Sequence, residues 1–170
     1  THRLPLTGKN ILVLGAGGAT RGILSALLEK SPSQITIANR TEQRAETLAE
    51  QFAHYGPVSG IGLNRLPGKT YDLIINATSA GLADEVPAVP DTILHPGGST
   101  YDLMYGDKPT AFVKWGRAHD AYKSVDGLGM LVEQAAESFF LWRNVRPDTQ
   151  AVLEKMRPGF TTFNPWKPLG

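Results

Sequence analysis

At 170 residues, 41% of them hydrophobic, the chain can bury one ordinary core and has the size of a single domain. Lys and Arg total 17 against 16 Asp and Glu, and a net charge of +1 sets up no basic field for a nucleic-acid backbone. With no cysteine the chain can hold no disulfide, thiolate zinc site, iron–sulfur cluster or cysteine nucleophile. The four histidines, His2, His54, His95 and His119, lack the close spacing of a helical metal site, so no metal is expected. No apolar run approaches the roughly 18 residues of a membrane helix. The opening Thr1-His2-Arg3 has neither an initiator Met nor the layout of a signal peptide. The expectation is a cytoplasmic protein, cut from something longer, with neither membrane nor nucleic acid as partner.

Taken in chain order, Asn10 to Leu14 is a short aliphatic run bounded by glycines, the pattern of a strand buried on both faces of a parallel sheet. The turn that follows is Gly15-Ala16-Gly17-Gly18-Ala19-Thr20. Gly15 permits a tight turn and Gly17 lets backbone approach a pyrophosphate. The helix that opens here offers free N–H groups and the positive end of its dipole. Thr20 stands where the strict fingerprint has Gly or Ala, and a purely structural turn is the alternative; the strand before and the helix after supply the context a phosphate loop needs. That helix, Thr20 to Lys30, carries Ile23, Leu24, Leu27 and Leu28 as one apolar stripe and ends at Ser31-Pro32.

Gln34 to Asn39 reads as the second strand. A domain for NAD usually ends this strand on Asp or Glu, which accepts from the ribose 2′-OH. Here stand Asn39-Arg40-Thr41, with Arg44 a helical turn later. Two guanidiniums and a hydroxyl suit a 2′-phosphate, hence NADP, although helix-start residues in solvent would read the same way. Thr41 is placed to cap a helix running to Phe52, with Ala45, Leu48, Ala49 and Phe52 on one face.

Beyond it, His54 to Lys69 is rich in Gly and Pro and holds at most a strand near Val58 to Ile61. Asp72 to Asn76 and Ser99 to Leu103 read as the fourth and fifth strands, Thr110 to His119 as a helix, and Ala121 to Val125 as the sixth strand. Gly129 to Arg143 is predicted helical, with Leu131, Ala135, Ser138, Phe139 and Trp142 along one side. Asp148 to Met156 is a shorter helix. The alternation predicts an α/β fold, a Rossmann-type doubly wound parallel sheet of about six strands with helices on both faces. One domain would cover 1–157, and 158–170, proline-rich and without periodicity, is expected to be a disordered tail.

Five segments, GAGGATRG from Gly15, ANRT from Ala38, DLIINATSAGL from Asp72, YDLMY from Tyr101 and VDGLGMLVEQA from Val125, together resemble the NADP-binding domain of the shikimate dehydrogenase family over about Lys9 to Met156. Glutamyl-tRNA reductases share a glycine loop, an NRT and an ATS segment and are the alternative, but not the GLGMLVEQA block. The resemblance implies NADP as cofactor, with Gly15, Ala16, Gly17, Gly18 and Ala19 around its pyrophosphate. It puts Arg40, Thr41 and Arg44 on the 2′-phosphate and Asn39 beside the adenine ribose. Asn76, Ala77, Thr78 and Ser79 would run beneath the cofactor; Met104, Gly127 and Met130 would line the nicotinamide pocket. Tyr105 and Gln134 would reach the substrate. Read without the resemblance, the two methionines are core, and Tyr105 and Gln134 are surface.

The family's reaction passes a hydride between NADPH and 3-dehydroshikimate, giving shikimate for aromatic amino-acid (chorismate) biosynthesis, while a Lys and an Asp of a preceding substrate domain handle the proton. Lys108 and Asp102 match neither, so no catalytic residue is assigned to this chain. It is expected to bind NADP(H) without turnover. A quinate/shikimate dehydrogenase-like domain and a free-standing NADP-binding sensor remain alternatives.

Overall fold

The structure is a computed structural model that describes residues 6–79 and 84–158. The elements run β1 (Asn10–Leu14), α1 (Gly18–Leu28), β2 (Gln34–Asn39), α2 (Glu42–Phe52), β3 (Val58–Gly62), β4 (Tyr71–Asn76), β5 (Leu94–Asp102), α3 (Ala111–Ala118), β6 (Ser124–Asp126), α4 (Leu128–Arg143) and α5 (Thr149–Met156). All six strands are parallel, in the order β3-β2-β1-β4-β5-β6. This is the Rossmann order, and its direction reverses between β1 and β4, where a crevice opens at the carboxyl ends of the strands.

Alternation along β1 shows why the sheet is covered on both sides. Ile11 and Val13 pack with Ile23, Leu24 and Leu27 of α1 and Ala45, Leu48 and Ala49 of α2. Leu12 and Leu14 face the other way, with Ala38, Ile74, Ile93 and Phe112 of α3. A strand walled in like this must be apolar at every position, which is how it reads in sequence. At the carboxyl ends the register aligns Leu14, Asn76, Asp102 and Asp126 across four neighbouring strands. Three of these four are polar and almost wholly buried.

Several boundaries differ from expectation for identifiable reasons. α1 starts at Gly18, because Gly17 is already its N-cap, and ends at Leu28. Thr41 does occupy the N-cap of α2, but its side chain makes no cap hydrogen bond. β5 begins five residues early, through an exposed His95-Pro96-Gly97 stretch with no apolar alternation, and its register shifts against β4 there. β6 is Ser124–Asp126 and not Ala121 to Val125, because left-handed Asp120 and the turn after it delay the strand.

On α4 the row of residues read along one side in sequence is not the buried one. Leu128, Gly129, Val132 and Ala136 are buried, whereas Leu131, Ala135, Ser138, Phe139 and Trp142 are exposed. The segment LGMLVEQAAESFFLWR has apolar residues on more than one side, so periodicity alone does not choose the face. Leu153 of α5 covers the buried side. No helix among the described residues is long and apolar enough to cross a membrane. The expected tail falls, from residue 159 on, outside the described residues.

Candidate functional site

The glycine loop leaves β1 at Gly15, where φ of +103° forces the choice of residue and a Cβ would press on the Ala77 carbonyl at 3.1 Å. Its N–H donates to Ala38 O at 2.8 Å, tying β1 to β2. Thr20, buried in the first turn of α1, donates its hydroxyl to Gly15 O at 2.7 Å and closes the loop from within. Gly17, Gly18 and Ala19 are exposed, and a Cβ on Gly17 or Gly18 would meet nothing within 4 Å. No side chain caps α1. The first amides of the helix therefore face open space, the shape and charge a pyrophosphate needs.

Beside the loop lies a recess of about 560 Å³ lined by Gly15, Ala38, Asn39, Arg40, Thr41, Arg44, Leu63, Thr78, Ser79, Glu85, Pro87 and Ala88. The end of β1, the start of α2 and the loop after β4 thus meet there, joining seven of the sequence-assigned residues. Asn39 Nδ2 donates to Thr41 O at 3.0 Å and fixes the bend between β2 and α2. Glu42, the acid of the first turn of α2, is engaged by Arg65 at 2.9 Å, which holds its carboxyl below the usual range. Among the described residues no carboxylate lies within ion-pair distance of Arg40 or Arg44. Two cations and a hydroxyl that makes no cap hydrogen bond thus gather at a helix N-terminus, a combination whose charge suits an anion. Glu85 on the far wall is an acid that sequence reasoning did not place there.

Behind the loops after β4, β5 and β6 runs a buried polar layer. Asn76 Oδ1 accepts from Thr78 N at 3.1 Å and Thr78 Oγ1 at 2.6 Å. Its Nδ2 donates to Asp102 Oδ1 at 3.3 Å. The Asn76 side chain is therefore turned inward and shapes the loop carrying Ala77, Thr78 and Ser79. Asp102 also accepts from Met104 N at 3.1 Å and from Thr110 Oγ1 at 2.7 Å, and Thr110 in turn caps α3. Burial pushes the Asp102 carboxyl above the ordinary range, despite these donors. Having no exposed surface, it cannot meet a ligand; Lys108 is exposed. Asp126 Oδ1 accepts from Leu128 N at 3.2 Å, and Gly127 N donates to Met104 O at 3.2 Å.

Met104 and Met130 are half-buried and Gly127 is buried, while Tyr105 and Gln134 are exposed; none of the five lines the recess. Ala16 opens instead onto a smaller hollow between α1 and α2, which it shares with Arg21, Arg44 and Gln51. Among the described residues no group of three His, Asp or Glu side chains is placed to hold a metal.

Comparison with known proteins adds to this geometry. The family model for shikimate / quinate 5-dehydrogenase matches residues 1–83, and that for the shikimate 5′-dehydrogenase C-terminal domain matches residues 127–157. The chain is 56% identical over 157 residues to the shikimate dehydrogenase (NADP(+)) of Alkalilimnicola ehrlichii, covering 92% of this chain and 58% of that protein. To the enzyme of the same name from Thioalkalivibrio sulfidiphilus it is 57% identical over 153 residues, 90% of this chain and 56% of that one. It thus spans little more than half the length of these relatives. A crystal structure of an Ael1 enzyme from Pseudomonas putida superposes with a TM-score of 0.77 at 40% identity, over 89% of this chain and 56% of the other.

Proposed function

The chain belongs to the shikimate / quinate 5-dehydrogenase family, and on that premise we propose that it is the NADP(H)-binding part of a shikimate dehydrogenase. The observation that carries this reading is the recess in which Arg40, Thr41 and Arg44 converge with no acid at the end of β2. An NAD site would need a carboxylate there to accept from the ribose 2′-OH; the cations present suit a 2′-phosphate. Gly15, Ala16, Gly17, Gly18 and Ala19 hold the pyrophosphate on backbone amides, and Asn39 sets the adenine-ribose edge. Ala77, Thr78 and Ser79, braced by Asn76, form the floor. Met104, Gly127 and Met130 face the nicotinamide, with Tyr105 and Gln134 offered to shikimate or 3-dehydroshikimate.

When bound, the cofactor supplies the hydride. The part of this chain is to bind and orient it; no side chain here is assigned to proton transfer. The chain by itself is proposed to bind NADP(H) without oxidising shikimate, since a carbonyl reduction lacking its general acid forgoes typically 10²- to 10⁴-fold. It is read as a cytoplasmic protein acting on a small molecule. The test is titration with NADPH and NADH: NADPH is expected to bind far more tightly, and equal affinities contradict the assignment.

A further inference from the structure

The loops after β5 and β6 are joined by a side chain that belongs to neither. Arg157 caps the carboxyl end of α5. Its Nη1 donates to Asp126 Oδ2 at 2.8 Å, and its Nη2 donates to the carbonyl of Gly106, 51 residues away in sequence. Each acceptor sits at the base of a loop that the reading above assigns to the nicotinamide. Asp126, its side chain 2% exposed, uses its other oxygen to accept Leu128 N and so sets the first turn of α4. The N-cap of α4, Gly127, has no side chain to do that itself. Gly106 follows Met104 and Tyr105 directly.

The two loops also touch. Gly127 N donates to Met104 O, and a Cβ on Gly127 would collide with the Leu103 carbonyl. A shift of either loop is therefore felt by the other. In the sheet, Asp126 lies in register with Asp102, also buried, and two neighbouring buried carboxylates call for a compensating cation. A planar guanidinium serves a carboxylate and a carbonyl at once, which an ammonium, as a point charge, does not.

We propose that Arg157 is a positioning residue for the nicotinamide half of the cofactor site, clamping Asp126 to the Gly106 carbonyl so that Met104, Gly127 and Met130 hold one arrangement. This rests on the assignment of those three residues to the nicotinamide under the proposed function. The adenosine half stands on the loops after β1 and β2, on the other side of the switch point. Arg157 acts on one half only.

The test separates the halves. Arg157→Met keeps an apolar stem and removes the fork. The 170-residue chain and the variant are each titrated with NADPH and with 2′-phospho-ADP-ribose, which carries every group of the cofactor except the nicotinamide. The variant is expected to lose on the order of tenfold in NADPH affinity, the usual effect of a charge-assisted contact, and to keep its affinity for 2′-phospho-ADP-ribose. A merely structural role would weaken both ligands alike. Equal losses, or none, overturn the proposal. If Arg157→Met does not fold by circular dichroism, Arg157→Lys is read in the same titrations. It keeps a charge for Asp126 without bridging to Gly106, the same selective loss is expected, and unchanged binding of both ligands overturns the proposal. Should the unsubstituted chain bind neither ligand, the NADP(H) reading itself falls, so the two failures are told apart.

Discussion

The hydroxyl of Thr20 donates to the carbonyl of Gly15 at 2.7 Å, inside the loop both residues delimit. This threonine departs from the usual glycine fingerprint, and the departure has a structural use: it pairs a buried carbonyl at the sharpest point of the turn. Thr20→Val keeps shape and volume but removes the donor. The cost of the unpaired carbonyl is about 1–3 kcal/mol, measurable as a lower urea midpoint with an unchanged slope. Thr20→Ser restores most of it. A valine variant as stable as the parent would show that the bond does not hold the loop.

Gly15 and Gly17 are expected to part company on substitution. Gly17 has φ of −98° and free space where a Cβ would go, so Gly17→Val should leave circular dichroism and melting nearly unchanged while NADPH binding is lost. Gly15→Val, at positive φ and against the Ala77 carbonyl, should destabilise the fold itself. Retained NADPH binding in folded Gly17→Val would show the loop to be only a turn.

Asp102 gives a pH dependence whose sign follows from its burial. Burial raises its carboxyl above the ordinary value, and the neighbouring Asp126 adds to the effect against the hydrogen bonds from Thr110, Met104 and Asn76. The folded state thus holds this proton more tightly than the unfolded chain. The stability this confers is complete below the ordinary carboxylate range and is lost as pH rises through the raised value. Relative to Asp102→Asn, the parent should lose stability as pH climbs from that range upward, measured by urea unfolding at a series of pH values. A difference that is flat in pH, or of opposite slope, contradicts the account.

The two sides of α4 differ in what they carry. Leu128→Ala, on the buried side, should cost roughly 2–5 kcal/mol. Trp142→Ala, at 85% exposure, should change stability by no more than about 0.5 kcal/mol. Comparable losses at both positions in thermal unfolding would mean that the exposed side is packed after all.

What could be read in the sequence followed from how strongly each position is constrained. β1 and β2 are walled in on both faces, and their sequence limits coincide with the structural ones. The Asn39, Arg40, Thr41 and Arg44 cluster was legible because these residues are adjacent in the chain and because an expected acid is missing. α4 was legible as a helix but its buried side was not, since its apolar residues do not fall on one side. The polar layer was invisible for another reason: Asn76 meets Asp102 across 26 residues and Asp126 meets Arg157 across 31, and no local pattern reports such pairs. Glu85 likewise reaches the recess only through the fold.

Calorimetric titration with adenosine 2′,5′-bisphosphate against adenosine 5′-monophosphate tests most directly whether the recess reads a 2′-phosphate, with nothing else varied. The bisphosphate is expected to bind the unsubstituted chain much more tightly. Arg40→Gln should remove about 1.5–3 kcal/mol of that advantage, roughly tenfold to a hundredfold in affinity, leaving the monophosphate unaffected. Equal affinities of the two nucleotides for the unsubstituted chain would contradict the claim.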